Sequence, residues 1–285
     1  MDRHQLKERV VSAIRRPPAA PPDATSREVL LALSELLRRH GGDVPAEESG
    51  ELAGFELRVF SQNGEDGVLA EILRRTGAPG RWFVEFGAGD GIENNCRVLA
   101  DVLRWNGLFM DAGERQFELL AHRYAGHPTV RVAGTMVTPA TIDALFERHG
   151  VPAEPDVVSI DVDGSDYWIW EAMTARPRIV VIEYNGSLPV GRRLVQPRGT
   201  GPWEVTDFYG ASIEAMVELG ERKGYRLVHC EMTGNNAFFV RDDLPGEFLP
   251  RDAVLRRRTN FWLEGLRHPP DQTGRSYVDL DRQAP

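Results

Sequence analysis

The sequence predicts an α/β domain built on a mostly parallel, seven-stranded sheet whose last strand is antiparallel. Short apolar runs alternate with helical patterns from about residue 60 to residue 240, the order expected for parallel strands joined by right-handed crossovers. The last two runs, residues 225–230 and 236–240, flank a Thr-Gly-Asn turn that is typical of a hairpin. A parallel sheet that closes with an antiparallel hairpin satisfies both observations.

Length and composition limit the classes of protein that the chain can belong to. At 285 residues, one large domain (51–285) with an N-terminal appendage (1–50) is more economical than two independent domains. The formal net charge of -9 argues against nucleic-acid binding. Two cysteines without metal-type spacing suit a reducing compartment, and no run approaches the roughly 18 apolar residues of a membrane span. These features predict a cytoplasmic protein that binds neither nucleic acid nor membrane.

Residues 1–50 are predicted to form a helical arm with a proline-rich linker at residues 17–22. A capping box at Thr25 and Glu28 precedes a leucine stripe that runs from Leu30 to Leu37. The stripe can pack on its own domain, on a second copy of the chain in a homo-oligomer, or over a ligand cleft.

The central motif is the turn at residues 85–91, Glu-Phe-Gly-Ala-Gly-Asp-Gly, which follows the first predicted strand. Glycines allow positive φ angles and close approach of a ligand to the backbone, as a nucleotide-like ligand requires. The dinucleotide fingerprint would need a third glycine at the position of Ile92, which disfavours hydride-transfer cofactors. The turn resembles motif I of the class I S-adenosylmethionine-dependent methyltransferases. An ordinary strand-to-helix turn is the alternative.

The second predicted strand ends in Asp111, after a helix that carries Asn95 and Val98. A carboxylate at this place in a βαβ unit can accept hydrogen bonds from both ribose hydroxyls of an adenosine ligand. The alternative role for Asp111 is to cap the helix that follows near Glu114.

Further residues around these motifs extend the resemblance over most of the chain. They are Ser61, Gln62, Glu65, Asp66, Glu85, Phe86, Gly87, Ala88, Asp90, Gly91, Asn95, Trp105 and Gly107. Together they resemble the FkbM-type methyltransferases, many of which carry glutamate where this chain has Asp111. The resemblance implies a Rossmann-like class I methyltransferase fold, S-adenosylmethionine as cofactor, and O-methylation of a sugar-like or natural-product hydroxyl.

The predicted cofactor site combines the turn, the ribose carboxylate and their neighbours. Its residues are Gln62, Glu85, Phe86, Gly87, Ala88, Gly89, Asp111, Ala112 and Asp161. Two other functions stay open at this point. The same pocket could support cyclisation or elimination chemistry, or the chain could be a non-catalytic partner subunit with the same fold.

Acidic residues follow the fourth and fifth predicted strands. Asp161 and Asp163 come directly after one strand, and Glu183 with Asn185 ends the next. Since ligands bind at the carboxyl ends of parallel strands, Asp161, Asp163 and Glu183 are the candidate catalytic residues. Asp161 and Glu183, with Asn185 or Asp163, could bind Mg²⁺ or Mn²⁺ through oxygen ligands. Alternatively, one carboxylate is a metal-free general base and another caps the next helix.

The loop at residues 187–210 is too long for an ordinary connection and is predicted to be a lid or a substrate wall. Trp203 and Tyr209 could stack on a ring of the substrate or anchor the loop. Asn236, in the final hairpin, is a candidate substrate contact. The last fifteen residues are expected to be mobile.

Overall fold

The computed structural model of the chain describes residues 50–231, 233–257 and 268–282. The predicted N-terminal arm lies outside these residues except for Gly50, so its helices and its contacts stay predictions. Within the described ranges, no helix is long and apolar enough to cross a membrane.

The described part of the chain is organised around a central sheet. Its strands are β1 (Trp82–Phe86), β2 (Asn106–Asp111), β3 (Val130–Gly134), β4 (Val157–Ile160), β5 (Ile179–Glu183), β6 (Leu194–Val195), β7 (Tyr225–Cys230), β8 (Asn236–Arg241) and β9 (Val278–Asp279). Seven of them form one sheet in the order β3-β2-β1-β4-β5-β8-β7. Strands β1 to β5 are parallel, and β8 is antiparallel to both of its neighbours. This arrangement confirms the predicted Rossmann-like class I methyltransferase fold.

Helices cover both faces of the sheet. They are α1 (Glu65–Thr76), α2 (Glu114–Arg123), α3 (Ile142–His149), α4 (Asp166–Ala172), α5 (Ile213–Lys223) and α6 (Arg251–Arg257), with a short π-helix at Val98–Val102. Alternate residues of β1 enter different cores: Phe83 packs on one side, and Val84 and Phe86 pack on the other. Because both faces are buried, the parallel strands are almost continuously apolar.

The helix after the glycine-rich turn is shorter than the sequence predicts. Asn95 belongs to an extended turn, and the π-helix begins only at Val98. The carboxylate of Glu85 accepts hydrogen bonds from the backbone N–H groups of Asn95 and Cys96, which fixes this stretch as a turn. Glu85 thus satisfies, from β1, backbone N–H groups just ahead of the helix, which a first helical turn leaves without partners.

The C-terminal strap, residues 268–282, packs along the long loop at residues 187–210. Its strand β9 pairs with β6 of the loop, although the sequence predicts a mobile end. Arg192 lies 2.6 Å from Asp279, and Arg193 contacts both Asp281 and Glu218. The strap thus supports the loop from outside, and the two arginines are paired with its carboxylates.

Candidate functional site

The glycine-rich turn lies where β1, β2 and β4 end. Gly87 and Gly89 have φ angles of 74° and 54°, which glycine adopts at little cost. A Cβ at Gly87 would lie 1.4 Å from the carbonyl oxygen of Asp161, so the two backbones meet with no room for a side chain. The N–H of Ala88 donates to the carbonyl of Met110 at 3.1 Å. The turn is therefore fastened to the ends of both neighbouring strands.

The Asp111 carboxylate is oriented by the backbone on either side of it. One oxygen accepts the N–H of Gly89 at 2.7 Å, and the other accepts the N–H of Gly113 at 2.8 Å. Asp111 is partly exposed, and a carboxylate has about four lone-pair sites, so each oxygen can accept a further hydrogen bond. The N-cap of α2 is Gly113, so the geometry favours the ligand role of Asp111 over the capping role.

Glu85 shapes the turn from its buried side. Its carboxylate accepts the N–H groups of Asn95 and Cys96 at 3.0 and 2.8 Å and the side-chain amide of Asn94 at 3.2 Å. Burial raises the pKa of Glu85 to about 7, although these hydrogen bonds oppose the increase. Glu85 is 5% exposed and does not line the cleft, so its evident role is structural.

A cleft opens along the turn and includes three of the predicted cofactor residues. Gly87, Ala88 and Gly89 line it, together with Asp90, Ile92 and Glu93. Ile92, which occupies the position of the missing fingerprint glycine, is 49% exposed. This is the surface on which a ligand can approach the backbone of the turn.

The remaining predicted cofactor residues do not line this cleft and lie in different environments. Phe86 is fully buried, and its carbonyl accepts the N–H of Asp161 at 3.2 Å. Ala112 is exposed next to Asp111, and Gln62 is exposed at the final hairpin, where the side-chain amide of Asn235 donates to it at 3.5 Å. The core position of Phe86 means that only its main chain can serve a ligand.

Asp161, Asp163 and Glu183 form the carboxylate cluster, in which each offers an oxygen atom and these atoms lie within 4.8 Å of one another. Strands β4 and β5 pair with Ile160 opposite Ile182, so the next residue along each segment, Asp161 and Glu183, falls at the same edge. This brings the three candidate catalytic residues together, as the sequence predicts.

The cluster is electrostatically unfavourable without a bound cation or proton. Burial raises the pKa of Asp161 well above its ordinary value, and the charges of Asp163 and Asp166 raise it further. Burial, and then the charge of Asp161, raises the pKa of Glu183 well above its ordinary value. Glu183 is 6% exposed, and its Oε2 has no hydrogen-bond partner among the described residues. The donor set is oxygen only, which suits Mg²⁺ or Mn²⁺.

Asp166 has a structural role beside the cluster. Its two oxygens accept the N–H groups of Val162 and Gly164 at 2.8 and 2.9 Å. These bonds hold the loop in which Asp163 has a positive φ of 55° and an exposed side chain. Asp166 thus fixes the direction in which the loop presents Asp163.

Asn185, a predicted metal ligand, is engaged outside the cluster. Its amide nitrogen lies 3.0 Å from the carbonyl oxygens of Asp207 and Tyr209 and 3.1 Å from the hydroxyl of Tyr277. Its amide oxygen accepts the N–H of Ser187 at 3.0 Å. Both ends of the amide are occupied by the long loop and the strap, so the geometry favours the alternative ligand Asp163.

One polar neighbour of Glu183 connects it to a distant part of the chain. Asn236 lies opposite Glu183 across the β5–β8 pair, and its side-chain amide donates to Glu65 at 2.9 Å. Asn236 is 3% exposed, and its Oδ1 has no hydrogen-bond partner within the described ranges. The sequence singles out Asn236 only as a substrate contact. Its pairing with Glu65 depends on contacts between α1 and β8.

The chain matches no known protein-family model and no curated protein. Among solved structures, it is similar to the N-terminal domain of EvdMO1 with SAH bound, at 15% identity over 78% of this chain and 97% of that chain, with a TM-score of 0.41. It is also similar to the CurJ carbon methyltransferase, at 12% identity over 87% of this chain and 72% of that chain, with a TM-score of 0.44. A third match is a SAM dependent methyltransferase from Aquifex aeolicus, at 13% identity over 61% of this chain and 87% of that chain, with a TM-score of 0.36. The fold assignment rests on the strand order described above.

Substitution of Gly87 by alanine tests the contact between the turn and β4. Because the new methyl group would collide with the Asp161 backbone, we expect the free energy of unfolding in urea to fall by at least about 2 kcal/mol. Gly201→Ala is the control, since a Cβ there meets nothing within 4 Å. Equal stability of the two variants would contradict the proposed contact.

Substitution of Glu85 by glutamine tests the raised pKa of this residue. The folded chain keeps a proton on Glu85 that the unfolded chain releases above about 4.5, so this stabilisation is present at low pH and is lost as pH rises through about 7. Between about pH 5 and pH 8, wild-type stability should fall by about 2 kcal/mol more than that of Glu85→Gln. Urea unfolding at several pH values measures this, and parallel profiles would refute it.

Proposed function

We propose that this chain is an enzyme that transfers a methyl group from S-adenosylmethionine to a hydroxyl of a sugar-like or natural-product small molecule. The observation that carries the proposal is the meeting of two features at one edge of the sheet. The glycine-rich turn with Asp111 lies on one side of β1, and the carboxylate cluster lies on the other, after β4 and β5. A nucleoside held by the first feature would have its reactive end beside the second.

The residues of the turn fit the adenosine part of S-adenosylmethionine. The backbone at Gly87 and Gly89 is open to the cleft, and Asp111 has acceptor capacity left for ribose hydroxyls. The three carboxylates of the cluster outnumber the charge of one divalent cation, so this edge stays negative and favours a ligand with positive charge, as a sulfonium has. When bound, S-adenosylmethionine supplies a methyl group on a good leaving group, so the protein has to provide mainly alignment and proton removal.

The carboxylate cluster fits a divalent cation, and we propose Mg²⁺ or Mn²⁺ held by Asp161, Asp163 and Glu183. The unpartnered oxygen of buried Glu183 and the raised pKa of Asp161 both indicate a site that needs a cation or a proton. A bound cation would serve as a Lewis acid that lowers the pKa of the acceptor hydroxyl. The chain's own contribution is to fix the cluster, through Asp166 on one side and the β4–β5 register on the other.

Tyr209 adds a further group to this edge. Burial raises its pKa well above the ordinary value, and the charges of Glu183, Tyr277 and Asp161 add to the effect. Tyr209 therefore stays protonated near neutral pH. It can donate a hydrogen bond to an acceptor oxygen, but it cannot take the proton away. Proton removal is left to a carboxylate or to solvent next to the cation.

Calorimetry with S-adenosylmethionine tests the cofactor assignment. Asp111→Ala should weaken binding by at least about 1.5 kcal/mol, roughly tenfold, because two charge-assisted hydrogen bonds to the ribose disappear. Asp252→Ala is the control and should bind as wild type, since it removes an exposed carboxylate on α6, outside the lining of the cleft. Unchanged affinity in Asp111→Ala would remove the ribose assignment.

Methyl transfer itself is tested by mass spectrometry of small hydroxyl compounds incubated with the protein and S-adenosylmethionine. A methylated product together with S-adenosylhomocysteine is the expected result. Consumption of S-adenosylmethionine without a methylated product would indicate cyclisation or elimination instead. Binding without any turnover would support a non-catalytic subunit.

Thermal unfolding with added cation tests the metal site independently of turnover. MgCl₂ or MnCl₂ should raise the melting temperature, and more so at about pH 8 than at about pH 5, because protons compete for carboxylates with raised pKa values. Asp161→Asn and Glu183→Gln should abolish the increase, while Asp101→Asn, in a half-buried ion pair with Arg97 outside the cluster, should keep it. Full turnover after exhaustive chelation would refute the metal.

A further inference from the structure

Three rings form a corner beside the carboxylate cluster. Trp203 and Tyr209 come from the long loop, with ring centroids 5.7 Å apart and planes inclined by 58°. His268, at the start of the C-terminal strap, lies edge-on to both, at 4.6 Å from Trp203 and 5.8 Å from Tyr209, with angles of 85° and 88°. We call these three residues the aromatic corner. Trp203 and His268 are half-buried, so part of each residue stays accessible to solvent.

Contacts on two sides show that the aromatic corner borders the carboxylate cluster. Asn185, just beyond the end of β5, donates its side-chain amide to the carbonyl of Tyr209 at 3.0 Å. The loop after β4, at Gly164, lies against the side chain of Gln196, which donates to the carbonyl of Phe208 at 3.3 Å. Tyr209 therefore lies next to both segments that carry the cluster.

One hydroxyl group holds the aromatic corner in place. The hydroxyl of Tyr277 accepts the N–H of Tyr209 at 3.0 Å and the side-chain amide of Asn185 at 3.1 Å. The same hydroxyl lies 3.0 and 3.1 Å from the carbonyl oxygens of Asp207 and Tyr209, to one of which it can donate. Asn185 lies two residues beyond Glu183, at the end of β5. This hub therefore connects the strand that carries Glu183 directly to the backbone of Tyr209.

We infer that the aromatic corner is the acceptor subsite, that it takes an uncharged, saturated ring bearing hydroxyl groups, and that Tyr277 is its positioning residue. The inference rests on the proposed function and adds to it the residues that select the acceptor.

The angles between the rings favour a saturated ring. A flat aromatic acceptor could be sandwiched only between parallel walls, whereas inclined rings offer it at most one stacked face besides edge contacts. Here the planes are inclined by 58° to 88°, so they form a corner that fits the C–H surfaces of a puckered ring. Hydroxyl groups on the same ring can donate to the carboxylates that border the corner.

The charges around the aromatic corner disfavour an anionic acceptor. The carboxylate cluster lies beside it, and the arginine of the strap that is nearest in sequence to Tyr277, Arg275, is paired with Asp271 and Glu204. Three ionised carboxylates with one bound divalent cation keep a net negative charge, and Arg275 is already paired, so a phosphate or carboxylate on the acceptor would be repelled. An uncharged ring avoids that repulsion.

Saturation-transfer NMR on the full chain tests the subsite, with S-adenosylhomocysteine and MgCl₂ present. The probes are methyl α-D-glucopyranoside as a saturated ring, catechol as an aromatic ring and glucose 6-phosphate as an anion. We expect transfer to the ring C–H protons of the glucoside, with weaker transfer to the other two probes. Preference for catechol or for the phosphate would overturn the proposed acceptor class.

Substitutions distinguish a loss of the subsite from a loss of overall stability. Trp203→Leu should reduce saturation transfer to the glucoside severalfold, whereas Trp82→Leu, at the amino end of β1 and away from the cleft, should not. Tyr277→Phe should weaken glucoside binding about fivefold, because the hub loses its hydrogen bonds and the corner loosens. Tyr225→Phe is its control, since that hydroxyl donates only to the distant carbonyl of Pro177, at 2.7 Å.

The affinity for S-adenosylhomocysteine, measured by calorimetry on the same samples, identifies which hypothesis fails. The affinity of Tyr277→Phe for S-adenosylhomocysteine should equal that of Tyr225→Phe, while its affinity for the glucoside falls. A general loss of structure would lower both affinities. If the wild-type chain binds S-adenosylhomocysteine but none of the probes, or if Trp203→Leu transfers saturation as well as wild type, the subsite is refuted. If S-adenosylhomocysteine does not bind at all, the proposed function fails instead.

Discussion

The close approach of two backbones, at Gly87 and at the carbonyl of Asp161, is the constraint on which the candidate site depends. There is no space for a Cβ at Gly87, so the glycine-rich turn lies directly against the end of β4. The N–H of Asp161 also donates to the carbonyl of Phe86 in the neighbouring strand. A ligand on the turn is therefore held within a few ångströms of the chain segment that carries the carboxylate cluster.

Acidic side chains serve two different purposes around this contact. Glu85 and Asp166 use their carboxylates to accept backbone N–H groups, which gives the turn and the β4–α4 loop their shapes. Asp161 and Glu183 instead face one another with raised pKa values. Hydrogen-bonded carboxylates of the first kind build the site. Those of the second kind are available to a cation or to a reacting hydroxyl, which is why they are the better candidates for chemistry.

The acceptor side of the site depends on segments that are far apart in the sequence. The long loop is fixed by the pairing of β6 with β9 and by the ion pairs of Arg192 and Arg193 with the strap. Asn185 and Tyr277 then tie the loop to the end of β5. Because the strap supports the loop, a change in the last residues of the chain can alter the acceptor side without touching the cofactor side.

The sequence by itself determined the sheet, the glycine-rich turn, the position of Asp111 and the meeting of Asp161, Asp163 and Glu183. These follow from local pattern and from the rule that parallel strands end at one edge, so no long-range packing had to be known. The tertiary structure alone decided the roles of Asn185 and Tyr277, the place of His268 and the order in the C-terminal strap. A side-chain amide looks the same in sequence whether it binds a cation or a loop. A proline-rich, charged segment shows no periodicity from which its packing could be inferred. Contacts between residues about 90 positions apart, such as Asn185 with Tyr277, exist only after the chain has folded.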